Sequence, residues 1–200
     1  MLTRGDQPAI GLRERKKAKT HAAIQEEALR LFREQGYDAT TVEQIAEAAE
    51  VSPSTFFRYF PTKEDVVFYD VLDPPMVESF RAQPRELNPI QAMRQAFRAV
   101  FATLSAEELA RQQERKALLF AVPELRAAWL GELANTVQLI AALIAERVGR
   151  PADDFAVRNL AGAVLGVAMA AMLSAVEDPK KELFELIDPA LAHLEAGLPL

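Results

Sequence analysis

The sequence predicts an all-α protein with two parts, a small N-terminal domain of three closely linked helices and a larger helical body. Three observations support this prediction. No segment alternates apolar and polar residues with period two for long enough to form a strand. Apolar residues instead recur at helical spacing along most of the 200 residues. Capping residues followed by proline or an acidic residue mark helix starts throughout the chain.

The N-terminal end predicts an arm followed by one helix. Residues 1–19 are expected to be a flexible basic arm, because glycine and proline are scattered through 1–12 and a basic cluster occupies 13–19. The first helix is expected to start near Arg15 or Thr20. It should end at Gln35, since Gly36 suits the position just after a helix. Its apolar stripe consists of Ile24, Ala28, Leu31 and Phe32.

Residues 41–60 predict two short helices joined by a tight turn. Thr41 and Gln44 have the spacing of a capping box. Ser52 can cap the second helix, and Pro53 occupies the first helical position, where a missing N–H costs nothing. Only two residues lie between the predicted helices. This arrangement is typical of a helix-turn-helix, whose second helix enters the DNA major groove.

The second helix of this pair is predicted to have a buried and an exposed face. Phe56 and Phe60 lie four residues apart and are expected in the core. The residues expected to face outward are Pro53, Ser54, Phe57 and Arg58. In a groove, Arg58 could donate two hydrogen bonds to guanine and Phe57 could contact a thymine methyl, while the small Thr55 would let the backbone approach phosphate. The alternative is a surface helix with an incidental arginine.

The charge of the chain is unevenly distributed. The net charge is −6, but residues 1–63 carry 10 basic and 9 acidic residues, whereas residues 64–200 carry 13 and 20. Phosphate binding requires local and not overall positive charge. The basic cluster at 13–19 is either a solvated tail or an arm that reaches phosphate or the adjacent minor groove.

The remaining sequence predicts further helices. Thr62 caps one that should run to Leu72, where Asp73-Pro74-Pro75 marks a break before a second piece at about 76–83. Further helices are expected from Asn88-Pro89, from Ser105 to near Phe120, from Pro123 to about Gly149, from Asp153 or Asp154 to near Glu177, and from about Pro179 to Ala196. Pro189 is expected to kink or interrupt the last of these.

Residues 20–66 resemble a known family. The matching positions are Gly36-Tyr37, Thr40-Thr41-Val42, Ile45-Ala46, Ala49, Val51-Ser52, Phe56, Tyr59-Phe60 and Lys63-Glu64. They resemble the N-terminal DNA-binding domain of TetR-type transcriptional repressors. The family commonly has glycine in the turn where this chain has Glu50, which would be strained if that position needs a positive φ. Pro53-Ser54 also departs from the family pattern, which affects the bases that are read.

The resemblance implies roles for further residues. It assigns phosphate contacts to Lys63, to the Tyr59 hydroxyl and to Thr41 near the first cap. Together with the outward face of the second helix, the residues predicted to contact DNA are Thr41, Ser52, Pro53, Ser54, Thr55, Phe57, Arg58, Tyr59 and Lys63. The resemblance further implies that residues 67–200 form a helical ligand-binding and dimerisation domain.

Two features of the body relate to these expected roles. A stripe of small residues at i+4 spacing, with two leucines of the last helix, is expected to form a homodimer interface: Gly162, Gly166, Ala170, Ser174, Leu183 and Leu186. Tight packing within one subunit is the alternative. Large apolar residues and one amide are candidates to line a pocket for an apolar or aromatic molecule: Phe97, Phe101, Phe120, Trp129, Asn159 and Met169. A filled core is the alternative there.

Composition excludes several classes of protein. The chain has no cysteine and two distant histidines, so neither disulfides nor a thiolate metal site are available. No nucleophile–base pair or glycine-rich phosphate loop is present, so an enzyme, a cofactor and a metal are not expected. The N-terminus lacks the apolar run of a secretory signal. The uncharged run from Leu160 to Val176 is short for a membrane span, so a cytoplasmic protein without membrane contact is expected.

These observations and the family resemblance predict a transcriptional regulator that acts as a repressor. A dimer would bind a palindromic double-stranded DNA operator and be released by a small apolar or aromatic effector. The alternative is an all-helical protein–protein interaction module that does not bind DNA.

Overall fold

The structure of the protein is a computed structural model that describes residues 12–178 and 183–200. These residues form ten α-helices and no strand, which confirms the all-α prediction. The helices are α1 (Leu12–Gln35), α2 (Val42–Ala48), α3 (Pro53–Tyr59), α4 (Lys63–Phe68), α5 (Asp73–Ala82), α6 (Pro89–Phe101), α7 (Ala106–Ala121), α8 (Pro123–Val148), α9 (Phe155–Glu177) and α10 (Leu183–Glu195). The chain divides into two compact units, and Tyr69 ends the first while Asp70 begins the second.

The first helix begins earlier than expected. Its start at Leu12 places residues 12–19 in a helix, where a flexible arm was predicted. The reason is composition, because the Arg, Lys, Glu and Ala residues of this segment are all strong helix formers. The rest of the predicted arm lies outside the described residues.

The first unit has a small core that its four helices share. Ile24 and Ala28 of α1, Ile45 of α2 and Phe56 of α3 have no exposed surface. Gln25 is a buried polar residue of α1, and its amide nitrogen donates to the carbonyl oxygens of Val66 and Tyr69 at 2.8 and 2.7 Å. One side chain therefore satisfies two carbonyl groups at the C-terminal end of α4, where intrahelical partners run out.

The boundary between the units differs from the prediction. The helix after Thr62 was expected to reach Leu72, but α4 ends at Phe68, and Tyr69 has an extended conformation. The predicted break near the double proline is present. However, α5 starts at Asp73, and both prolines lie in its first turn. Proline is tolerated there because the N–H groups of the first turn have no intrahelical partner.

The second unit is a bundle of α5 to α10. In it α9 packs against α8 and α10, and α6 packs against α5 and α10. The largest part of its core joins α5, α6, α8, α9 and α10 through Phe80, Ala92, Met93, Ala96, Leu143, Val164, Ala171, Ile187 and Leu191. Pro189 lies inside α10 without interrupting it.

Charged side chains also join α6 to α10. Arg94 donates to Asp188 at 2.9 Å and to Glu195 at 2.8 Å. Arg98 donates to Asp188 at 2.5 Å, and Gln91 donates to Glu195 at 2.7 Å. These bonds lower the pKa of both carboxyl groups, because the hydrogen bonds favour the ionised forms.

Two helices of the body remain unusually apolar on the surface. By length and composition alone, α8 and α9 could each cross a membrane, and only 17% of the most apolar window of each is buried. Exposed apolar side chains on these helices include Leu130, Leu139, Leu173 and Val176. The single chain thus leaves an apolar surface open on neighbouring helices.

Candidate nucleic-acid interface and body cavity

The turn between α2 and α3 is built from caps at both helix starts. The Thr41 hydroxyl accepts from the backbone N–H of Gln44 at 3.2 Å, and the Gln44 side chain accepts from the Thr41 N–H at 2.9 Å. Ser52 accepts from the N–H of Thr55 at 3.1 Å. Both caps have the residue spacing that the sequence predicts, so the starts of α2 and α3 are set by local bonds.

Glu50 has a left-handed conformation in this turn, with φ of 53°. Its N–H donates to the carbonyl of Glu47 at 3.0 Å, and the next N–H, that of Val51, donates to Ala46 at 2.9 Å. This pair of bonds closes the C-terminal end of α2. A side chain at positive φ is strained, so Glu50 carries a cost that glycine would avoid.

One face of α3 is buried and the other is exposed, as the spacing of its residues predicts. Phe56 and Phe60 are 0% and 1% exposed, whereas Phe57 is 50% exposed and Arg58 is also exposed. Phe57 meets the edge of Phe56 at 5.5 Å, and the Arg58 guanidinium lies 5.4 Å from the ring centre of Tyr59. One short helix therefore combines a fully buried aromatic face with an outward aromatic and an outward cation.

The other predicted DNA contacts lie around this face. Thr41, Ser52, Pro53 and Ser54 are exposed, and Thr55 and Tyr59 are half-buried. The Ser52 hydroxyl donates to the Thr55 hydroxyl at 3.0 Å, so Thr55 is already held in the cap. Tyr59 packs against the edge of His21 at 4.8 Å, which positions its ring beside α1.

The Lys63 ammonium makes two of its hydrogen bonds within the first unit. Its Nζ donates to the carbonyl oxygens of Tyr37 and Thr40 at 2.9 and 3.1 Å and lies 4.0 Å from the ring centre of Tyr37. An ammonium group has three protons, so one remains for a phosphate. Lys63 thus also holds the α1–α2 loop that leads to Thr41, a role that the sequence analysis did not identify.

His21 is surrounded by aromatic rings. Its imidazole stacks on Tyr69 at 4.5 Å and meets the edge of Phe60 at 4.8 Å. Burial, and next the charge of Lys17, lower its pKa, so the neutral form is favoured. Its Nδ1 is buried without a hydrogen-bond partner among the described residues. The ring therefore acts in the structure as an apolar spacer between α1 and the ends of α3 and α4.

The second unit contains a cavity of about 220 Å³ between its helices. Most of its wall is apolar, and Phe97 and Phe101 stack there with ring centres 5.8 Å apart. The apolar lining residues are Leu72, Met76, Phe97, Phe101, Leu165, Ala168, Met169, Met172, Leu183 and Ile187. Asp70, Asp73 and Lys116 supply charged groups. An apolar wall with a few polar groups is typical of small-molecule sites.

The residues proposed for a ligand pocket do not all lie together. Phe97, Phe101 and Met169 line this cavity. Phe120 instead contacts Trp129 edge-to-face at 5.5 Å, and Asn159 is exposed on α9. Lys116 also lines the cavity and was not predicted, although it lies one turn before Phe120 on the same helix.

The stripe of small residues on α9 lies largely on the surface of the single chain. Gly162, Gly166 and Ala170 are exposed, and Ser174 is half-buried. A Cβ atom added to either glycine would meet nothing within 4 Å. Packing inside one subunit therefore does not require glycine at these positions. Leu183 and Leu186 of α10 are half-buried.

Family models match both units of the chain. Residues 24–69 match the family described as bacterial regulatory proteins of the tetR family, and residues 87–199 match the MftR C-terminal domain. The second match alone covers more than half of the chain. Together with the helix-turn-helix geometry, these matches show that the chain belongs to the TetR family of DNA-binding transcriptional regulators.

Two curated relatives agree with this assignment. The chain is 40% identical over 159 residues to the HTH-type transcriptional regulator TcmR of Streptomyces glaucescens, covering 76% of this chain and 70% of the relative. It is 28% identical over 187 residues to the putative mycofactocin biosynthesis transcriptional regulator MftR of Mycobacterium tuberculosis, covering 92% and 93%. These relatives are regulators, which confirms the prediction that the chain is not an enzyme.

Solved structures show the same architecture. Thermus thermophilus FadR, a TetR family repressor in complex with lauroyl-CoA, has a TM-score of 0.55 and 26% identity, covering 90% of this chain and 95% of its own. The SmeT–triclosan complex has a TM-score of 0.59 at 17% identity, covering 90% and 91%, and shows the fold alone. The prediction of an N-terminal helix-turn-helix domain followed by a helical body is confirmed.

Proposed function

We propose that this protein is a repressor that binds a palindromic operator as a homodimer and is released by a small molecule held in the body cavity. The observation that carries the proposal is the division of α3. Its buried aromatics fix the helix, while Phe57 and Arg58 project from the opposite side. A guanidinium suits the two acceptors of guanine, and an exposed aromatic suits a thymine methyl. Thr41, Ser52, Pro53, Ser54, Thr55, Tyr59 and Lys63 are the proposed supporting contacts.

The proposed dimer interface is the open apolar face of α9 with the adjoining part of α10. Gly162 and Gly166 leave room for a partner helix to approach closely. Covering this face would also remove exposed apolar surface from water, which is favourable at about 25 cal/mol per Å². A dimer explains specificity, since two reading helices related by a two-fold axis read half-sites about one helical turn apart.

The proposed location is the cytoplasm, where bacterial DNA is accessible. The exposed apolar surface of α9 then serves the dimer and not a membrane. The proposed effector is an apolar or aromatic molecule, because most of the cavity wall is apolar.

The test of DNA binding is a selection of bound sequences from random duplex DNA with the purified full chain. The expected result is a palindrome. Arg58→Ala should then weaken binding to it by about 1–3 kcal/mol and relax one position in each half-site. Arg126→Ala, which removes an exposed arginine from α8, is the matched control and should have no effect. No enriched sequence, or equal effects of the two variants, would refute the proposal and favour a protein interaction module.

The test of the dimer is sedimentation of Gly166→Leu. Because Gly166 is exposed and a Cβ atom there meets nothing within 4 Å, the fold should survive while close approach of a partner is blocked. Wild type is expected at twice the 22.1 kDa chain mass and the variant at that mass. Gly131→Leu fills an equally open position on α8 outside the stripe and should remain dimeric. A monomeric wild type would refute the interface.

A further inference from the structure

The charged groups of the body cavity are not equivalent. Asp70 accepts a hydrogen bond at 2.5 Å from Arg115, a buried arginine of α7. Arg115 also donates to the side-chain oxygen of Gln112 at 2.9 Å. The charges of Asp70 and Arg115 therefore largely cancel each other. Asp73 and Lys116 remain as the two other charged groups on the cavity wall.

The charge of Asp73 is favoured by a helix end but opposed by burial. The residue is in the first turn of α5, where the unpaired N–H groups of the helix favour a negative charge. Loss of hydration, followed by the nearby Asp70 carboxylate, raises its pKa to about 6. A proton can thus neutralise this group slightly below neutral pH.

Lys116 is compensated only through space, by the nearby Asp70 and Asp73 carboxylates, whose charges act to raise its pKa. It precedes the last turn of α7, where the helix C-terminus favours a cation most. Within the described residues it makes no hydrogen bond or ion pair, although it lines both the 220 Å³ cavity and an adjoining cavity of about 160 Å³. Burial lowers its pKa to about 8, so the ammonium is still mostly present at pH 7. A half-buried ammonium between two apolar cavities, which makes no direct ion pair with Asp70 or Asp73, favours a ligand that brings a negative charge into contact with it.

We infer that the cavity selects an amphipathic acid, a compact apolar or aromatic body with one carboxylate or phenolate that pairs with the Lys116 ammonium. This inference specifies the chemical class of the proposed effector. Its role in regulation rests on the proposed function. The stacked Phe97 and Phe101 and the flexible Met169 and Met172 form the wall for the apolar body. The shared position of Lys116 in both cavities places the acid group at their junction.

The test measures ligand binding by the full chain without DNA. Three probes share a naphthalene body and differ in one group: 2-naphthoate, 2-naphthalenemethanol and 2-naphthylmethylammonium. Each competes with the fluorescent reporter N-phenyl-1-naphthylamine at pH 7. The naphthoate should bind at least about tenfold more tightly than either of the others, which corresponds to about 1.4 kcal/mol. Tighter binding of the ammonium probe would mean that the carboxylates define the site and would overturn the inference.

Variants then assign the preference to one side chain. Lys116→Met should remove the preference for naphthoate and keep binding of the neutral alcohol, which also shows that the cavity is intact. Lys116→Arg should retain the preference. Gln113→Met changes a neutral polar group of the adjoining cavity and is the matched control. If Lys116→Met still prefers naphthoate, or if folded wild type binds none of the probes, the inference is wrong.

A pH series supplies an independent readout. In wild type the naphthoate preference should fall as the pH rises from 7 to 9, because the Lys116 ammonium loses its proton. The Lys116→Arg variant should show no such fall, since arginine stays protonated. A chain that prefers naphthoate but binds no operator sustains this inference and refutes the proposed function. A chain that binds an operator but prefers the neutral probe supports the proposed function and refutes this inference.

Discussion

The N-terminal unit and the body hold their helices in different ways. In the N-terminal unit, α2, α3 and α4 have only 7, 7 and 6 residues, and each begins with a side-chain cap. In the body, α8 and α9 have 26 and 23 residues, and α8 begins without a side-chain cap. Side chains also cap α6, α7 and α9, but the body in addition has extensive apolar packing and ion pairs such as Arg94 with Asp188.

This difference determines what each unit can tolerate. Helices shorter than about 12 residues are not stable alone, so the position of α3 depends on its caps and on a few buried side chains. The long helices of the body bury enough apolar surface to remain stable although the body contains a cavity and an exposed apolar face. The N-terminal unit is therefore expected to lose function through single small changes, and the body through changes in the surfaces that it leaves open.

The largest expected effect is that of Phe56→Ala. Phe56 is completely buried on the inner face of α3, so truncation leaves a cavity and should cost about 3–5 kcal/mol. Thermal unfolding followed by circular dichroism should show a large loss of stability, accompanied by loss of operator binding. The effect would confirm that a small core fixes the reading helix.

The neighbouring Phe57→Ala is the matched control, because it removes the same atoms from an exposed position. It should cost about 0.5–1.5 kcal/mol, for the lost contact with the Phe56 ring, and yet weaken operator binding. Equal losses of stability in the two variants would contradict the proposed division of α3 into a buried and a reading face.

Gln25→Met should have the next largest effect. The substitution preserves shape but removes the amide donor of two carbonyl groups, those of Val66 and Tyr69. Loss of these two bonds should cost about 1–3 kcal/mol in a urea titration. Glu26→Met, at the exposed neighbouring position, should be nearly neutral. If both variants unfold alike, the first unit does not depend on this side chain.

The same contrast explains how much the sequence could predict. The Thr41 and Ser52 caps and the two faces of α3 follow from residues within one or two turns, and these predictions match the geometry. The bonds of Lys63 and Gln25 join positions 23 to 44 residues apart, which no local pattern encodes. The cavity likewise depends on how five helices meet, so Phe97 and Phe101 line it while Phe120 and Asn159 do not.

Arg94→Met tests the ion pairs of the body. It should cost about 1–2 kcal/mol at pH 7, because Asp188 and Glu195 both lose a charged donor. Lowered pKa values in the folded chain mean that this stabilisation is present above pH of about 4 and is lost as the pH falls. In urea titrations, the difference in unfolding free energy between wild type and variant should therefore be smaller at pH 3 than at pH 7.

Arg98→Met is the control for that variant, because Arg98 is 60% exposed and bonds only Asp188 among the described residues. Its effect at pH 7 should be at most about 1 kcal/mol. A loss in Arg94→Met that stayed constant down to pH 3 would show that packing, and not charge, joins α6 to α10.

Glu50→Gly should have the smallest effect, and it should be stabilising. Glu50 has a φ of 53°, which glycine adopts without steric strain. Part of the gain is offset because glycine has more freedom in the unfolded chain, which leaves about 0.5–1 kcal/mol. Glu47→Gly makes the same substitution inside α2 and should instead destabilise by about 1 kcal/mol. Opposite shifts in melting temperature would show that the turn of the N-terminal unit is strained at one residue, whereas a loss in both variants would show that Glu50 is unstrained.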